Sequence, residues 1–272
     1  MVKTEIVSSE LSHDGSRPRL NPQSSIFNYI FCILAALMLL ASCGHKNEIT
    51  IEGTLENGAG KVIYIEEMAP DSRIFIDSIT LDKKGHFKFS YKMPYRTFYD
   101  IHINENDYIV LLPNLGETIT MTGCYDSLSN TYRIEGNNES QKLWQLQDFA
   151  NHGNYVLRDI VNTDNINRTK LENGEITEKE YAAAHEMTDS IYLATFLEQQ
   201  KYVVDFIQDN LGSLVSLIAL YKPFNNKSLI DPKDSFEFYE AVLDGLEAQM
   251  PDNPHTLNFK NTVERTRFQY AR

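Results

Sequence analysis

Residues 74–91 read Ile74-Phe75-Ile76-Asp77-Ser78-Ile79-Thr80-Leu81-Asp82-Lys83-Lys84-Gly85-His86-Phe87-Lys88-Phe89-Ser90-Tyr91. Two runs rich in β-branched and aromatic residues flank a four-residue polar turn. In the second run Phe87, Phe89 and Tyr91 alternate with His86, Lys88 and Ser90, the period of a strand with one buried face. Asp82-Lys83-Lys84-Gly85 is hairpin chemistry, its glycine free to take positive φ. An antiparallel hairpin is expected here.

The same pattern continues on both sides. Upstream, residues 49–55 alternate apolar and polar, Asn57-Gly58-Ala59-Gly60 makes a turn, and residues 62–65 resume as a strand. Downstream, residues 98–103, 108–112, 118–122 and 132–136 are further candidates, and Asn104-Glu105-Asn106-Asp107 reads as a hairpin turn. Seven or eight short strands over 48–136 predict an antiparallel β-sandwich or a partly open barrel. After Gly136 the period becomes helical. Leu143, Leu146, Phe149 and Ala150 mark a helix over 140–160, and a polar stretch over 162–174 separates it from a longer one. The longer helix opens at Thr177 with Glu180 three residues on, a capping box, and runs to about Asn210. Ser213 can cap a short helix over 214–221. Asp231-Pro232 offers an N-cap and first position for a helix to Gln249, and Asn253-Pro254 opens the last. The fold class is α+β: an N-terminal β domain over 48–136 followed by an α-helical region over 137–272.

Ahead of both, residues 26–43 read IFNYIFCILAALMLLASC. The uncharged run over 30–41 suits a signal-peptide core and is shorter than the roughly 20 residues a membrane span needs. Leu40-Ala41-Ser42-Cys43, followed by Gly44, resembles the bacterial lipoprotein lipobox. That resemblance implies a signal peptide over 1–42, cleavage before Cys43, lipidation of Cys43 (diacyl chains plus an N-acyl group such as palmitate) and a short tether over 43–47. A plain secretory signal or an uncleaved anchor remain the alternatives. Beyond residue 42 there are 35 acidic and 22 basic side chains, the whole net charge of −13. A phosphate backbone would repel such a body, so no nucleic-acid partner is expected. The expected location is the cell envelope, lipid-anchored to the membrane. The single acidic residue among Gly44-His45-Lys46-Asn47-Glu48 inclines this to a periplasm-facing position.

The β segment also resembles the DUF4369 domain, a module of lipoproteins of Bacteroidetes type. The resemblance is carried by Ile51-Glu52-Gly53, Val62-Ile63-Tyr64-Ile65, Ile76-Asp77-Ser78, Gly85-His86-Phe87-Lys88-Phe89, Leu115-Gly116-Glu117-Thr118-Ile119-Thr120-Met121-Thr122-Gly123 and Ile134-Glu135-Gly136. Phe206-Ile207 and Asn210-Leu211-Gly212-Ser213-Leu214-Val215-Ser216 are similar to the segment that follows, with Leu211 where relatives usually have proline. Many relatives continue into a thioredoxin-like domain with a Cys-x-x-Cys site. This chain has no Cys-x-x-Cys, so the resemblance implies the accessory part alone. Cys124 would be the one thiol of a mature chain, expected to be buried as a small hydrophobe.

Candidate chemistry is sparse. His185, Glu186 and Asp189 miss the two-histidine zincin spacing and are expected to form a solvated helix face. Asp100, His102 and Asn104 alternate on a strand and would share a face, a ligand-like trio that an exposed sheet face also explains. Gly212-Ser213 lacks a nucleophile-elbow pattern, and Gly58 and Gly60 lead into a strand rather than a phosphate-binding helix. Tyr91, Tyr95, Phe98 and Tyr99 read as sandwich core and edge. The expectation is a non-catalytic binding or interaction module with no cofactor and no metal, tethered to the membrane. Its partner would be an envelope protein, a thioredoxin-like chain among the candidates. The alternative is the accessory part of a thiol–disulfide redox system whose thioredoxin-like domain sits on a separate chain or has been lost.

Overall fold

In the computed structural model, which describes residues 47–270 (for Tyr270 the backbone only), strands come first and helices follow. The predicted signal peptide, Cys43 and the tether lie outside the described residues, save Asn47, whose carbonyl accepts from the Met93 N–H at 2.8 Å. The strands are β1 (Glu48–Glu56), β2 (Val62–Met68), β3 (Arg73–Thr80), β4 (His86–Lys92), β5 (Phe98–Asn104), β6 (Asp107–Leu111), β7 (Thr118–Cys124) and β8 (Arg133–Glu135). They form two four-stranded sheets, ordered β4-β1-β7-β8 and β3-β2-β5-β6. Alternate residues face inward: Ile49, Ile51, Ile63, Ile65, Phe87, Phe89, Tyr99, Ile101, Ile119 and Met121 make one core between the sheets. The class is the α+β expected, as a sandwich with no closed barrel.

Two details of the pairing differ from the expectation. β1 and β7 run parallel, Gly53 opposite Met121, while the other pairs are antiparallel. The turn over 82–85 forms as its residues dictate, but it is no hairpin: β3 pairs with β2, and β4 pairs with β1. Asp82 accepts from the backbone of Lys84 and His86 at 2.7 and 2.9 Å, and Gly85 takes φ +78°. The Gly85 carbonyl then accepts from the Leu55 N–H at 2.9 Å, docking the turn on the end of β1 and setting Thr54 opposite His86. A Cβ at Gly85 would stand 2.2 Å from the Leu55 oxygen, so only glycine permits this crossing between sheets.

After the single turn α1 (Leu128–Thr131), whose first amides are accepted by Asp107 at 3.0 and 2.6 Å, the helices are α2 (Asn138–Glu172), α3 (Glu178–Asp209), α4 (Val215–Leu220), α5 (Phe236–Gln249) and α6 (Pro254–Tyr270). A two-residue hairpin pair, β9 (Pro223–Phe224) and β10 (Lys227–Ser228), lies between α4 and α5. α2 runs through most of the polar stretch expected to separate the helices, because nothing in 162–172 breaks it. Asp164 and Arg168 pair at i,i+4 instead, 2.8 Å apart. The capping box of α3 forms as read, with Thr177 N–H to Glu180 at 2.8 Å and Glu180 N–H to Thr177 Oγ1 at 3.3 Å. Asp231 caps only a turn, and α5 starts at Phe236. The helices enclose a second core of Leu143, Leu146, Val203, Ile207, Val215, Leu220, Val242, Leu246 and Val263, joined from the sheet by Phe98 and Leu112. No helix among the described residues is long and apolar enough to cross a membrane.

Candidate functional site

The outer face of the sheet β3-β2-β5-β6 changes character along its length. At one end Phe98, Met68 and Val110 pack into the helical core. One step along β5 the same face presents Asp100, then His102. Antiparallel pairing with β2 sets Glu66 opposite Asp100 and Tyr64 opposite His102. Because it borders the helical core, the Asp100 side chain has no solvent exposure, an unusual place for a carboxylate. Burial raises its carboxyl above the ordinary range, against the opposing pull of Arg73 and His102.

Arg73, at the start of edge strand β3, sends its guanidinium onto Asp100 Oδ2 and lies 3.7 Å from Glu66 Oε2. The other carboxylate oxygen, Oδ1, stands 3.3 Å from His102 Nδ1. The pair is not aligned as a hydrogen bond, and both atoms are buried without a hydrogen-bond partner. Tyr64 stacks on the His102 ring with centroids 5.4 Å apart, and the Arg73 guanidinium carbon sits 5.6 Å from the Tyr108 ring centre. Glu66, Arg73, His102, Asn104, Glu105 and Tyr108 line a cleft of about 430 Å³. One ligand atom each from Glu66, Asp100 and His102 falls within 4.8 Å of the others.

Of the strand trio read from the sequence, Asp100 and His102 come into contact, while Asn104 lines the same cleft without joining them. The β5–β6 register shifts between His102 and Asn104, and Asn104 Oδ1 accepts from the Asn106 and Asp107 amides at 2.9 and 3.1 Å. Its place beside the pair is taken by Glu66. No spacing within one strand reveals that residue; the signal is the β2–β5 register.

His185, Asp189, Ser213 and Tyr95 have structural partners. His185 Nδ1 meets Asp164 of α2 at 3.0 Å, and Asp189 lies 3.9 Å from Nε2. With Arg168 first and His185 next, these partners hold the Asp164 carboxyl below its usual range, pinning α2 to α3. Ser213 donates to Glu139. Tyr99 is buried, its phenol pushed up by burial. Tyr95 donates to Glu67 at 2.6 Å and is pushed up to about 12, by burial first and by that carboxylate next. Phe98 belongs to the helical core and Tyr91 flanks the sandwich core. Cys124 is half-buried rather than buried, because it ends β7 where the strand leaves the sheet; Asn57 Nδ2 approaches its Sγ at 3.6 Å.

α2 and α3 form a long antiparallel arm. Their seam opens into a mostly apolar groove of about 460 Å³, lined among others by Val156, Ile160, Met187 and Ile191. Met187 is 68% exposed, and Leu193 and Leu197, one turn apart on α3, are 56% and 53% exposed.

Residues 49–143 match the family described as Domain of unknown function (DUF4369), a span that includes both sheets, the acidic cleft and the first turns of α2. No curated protein and no solved structure matches the chain.

Proposed function

We propose that this chain is a non-catalytic lipoprotein of Bacteroidetes type, tethered to the envelope membrane through lipidated Cys43, facing the periplasm and acting as a binding or interaction module. The observation that carries the interaction reading is the α2–α3 arm. Met187, which lines an apolar groove, and Leu193 and Leu197, elsewhere on α3, each leave more than half their surface in water. Covering such side chains with a partner is worth roughly 1.5–3 kcal/mol each when burial is complete. The anchor rests on Leu40-Ala41-Ser42-Cys43 behind an apolar run.

The test is photocross-linking from a probe at Met187 of the full chain in native envelopes, with mass-spectrometric identification of the captured protein. One reproducible envelope protein, lost from Leu193→Asp/Leu197→Asp and from Cys43→Ala, is the expected result. Cross-links indifferent to both changes would overturn the reading. Capture of a thioredoxin-like chain would make the module the accessory of a thiol–disulfide system. Fatty-acid analogue labelling of wild type but not of Cys43→Ala is expected in the same cells.

A further inference from the structure

The geometry points to a divalent transition-metal site, zinc being the ion of best fit, formed by Glu66, Asp100 and His102 in the cleft on the outer sheet face. The site does not depend on where the chain resides or on what the helical arm binds.

The first support is the pair of orphaned atoms. Buried polar atoms are normally hydrogen-bonded, and two left without partners at contact distance need a reason. Asp100 Oδ1 and His102 Nδ1 lie 3.3 Å apart, at ion-pair distance but without hydrogen-bond alignment, and neither atom has another hydrogen-bond partner. Two ligands about 2.1 Å from a tetrahedral ion stand roughly 3.4 Å apart, so this is the spacing of neighbours on one metal. Glu66 on the facing strand brings a third donor within 4.8 Å. An imidazole and two carboxylates form a nitrogen–oxygen set suited to zinc, and are far short of the six to eight oxygens calcium takes.

Charge supports the same occupant. Glu66, Asp100 and Glu105 place three carboxylates around the cleft against the single guanidinium of Arg73. Arg73 sits where a cation is wanted, holding Asp100 Oδ2 and approaching Glu66. Its side chain is half exposed, and the Tyr108 face offers the guanidinium a seat after it leaves the carboxylate. Metal entry is therefore an exchange of one cation for another, with water or a ligand atom from outside the trio completing the coordination.

The experiment uses the full chain in detergent, stripped by chelator and dialysed against zinc chloride, with cobalt(II) absorbance as a second readout. Wild type is expected to bind one equivalent and to melt at a higher temperature with zinc. His102→Ala and Glu66→Gln should each weaken binding by about tenfold or more, and remove the cobalt bands. Arg73→Ala should melt lower than wild type without metal and bind zinc more tightly, since the competing cation is gone. Because Glu66 is partly exposed, Glu66→Gln keeps the test valid if His102→Ala does not fold. No saturable zinc binding by wild type, binding undiminished in Glu66→Gln, or zinc affinity reduced in a folded Arg73→Ala would each overturn the assignment.

Discussion

His255 shows how far one side chain can be read from its surroundings. It is 7% exposed, its Nε2 lies 2.8 Å from Thr97 Oγ1, and its ring meets Phe98 edge-on at 5.2 Å. Burial pushes the imidazole down from 6.5 to about 4. The folded chain keeps it neutral while the unfolded chain protonates it near 6.5, so the unfolded state binds more protons between these values. The stability linked to His255 is therefore fully present above pH 6.5 and is lost as pH falls towards 4, by up to about 3 kcal/mol. Glu117 and Glu139 add their own loss only at lower pH. Burial raises both carboxyls, but hydrogen bonds from Asn114 and Asn137, and from Lys142 and Ser213, hold them below the ordinary range. Urea unfolding at a series of pH values should show stability declining below pH 6.5 in wild type. His255→Gln should flatten the upper part of that decline; an unchanged profile in the variant would remove His255 as its cause.

Strand pairing is where local sequence and observed structure part company. Gly53, in the middle of β1, lies against the backbone of its parallel neighbour β7, and a Cβ there would stand 2.0 Å from the Met121 oxygen. Gly53→Ala must push the two strands apart, breaking contacts on both sides of Ile51 and Met121. A loss of about 1–3 kcal/mol is expected in chemical denaturation, where an unchanged midpoint would show that the sheet yields freely. The period-2 runs made the strands themselves legible, and Thr177 with Glu180 or Asn253 with Pro254 marked helix starts, since these are contacts within a few residues. Which strand pairs with which was not legible. The turn at 82–85 reads as a hairpin because its chemistry is local, yet Leu55, far away in sequence, receives it and sends β4 to the other sheet. The acidic cleft was half visible for the same reason: Asp100 and His102 share a strand, while Glu66 and Arg73 arrive through pairing. α2 runs past its predicted end because a polar stretch alone does not break a helix, and Asp164 and Arg168 pair along this one.

At the scale of the molecule, the two halves are bound by shared groups rather than by a linker. Phe98 and Leu112 leave the sheet to enter the helical core, and the Leu112 amide donates to Ser140 Oγ at 2.9 Å. Glu139, in the first turn of α2, accepts from Arg96 at 2.9 Å and from Lys142 at 2.8 Å, and also from Ser213. Asn253, just before α6, donates to the Arg96 carbonyl at 2.8 Å. Melting the helices alone would expose Phe98 and Leu112 and take Glu139 from Arg96 and Ser140 from the Leu112 amide, so neither half can open without charging its cost to the other. Calorimetry of the full chain should give one transition for residues 47–270, with sheet and helix signals coincident. Phe98→Ala should lower stability by about 3–5 kcal/mol while leaving that transition single. A helical signal that melts ahead of the sheet signal in wild type would contradict the coupling. If the coupling holds, the apolar arm and the acidic cleft are carried on one rigid frame, and occupation of one cannot be accommodated by swinging it away from the other.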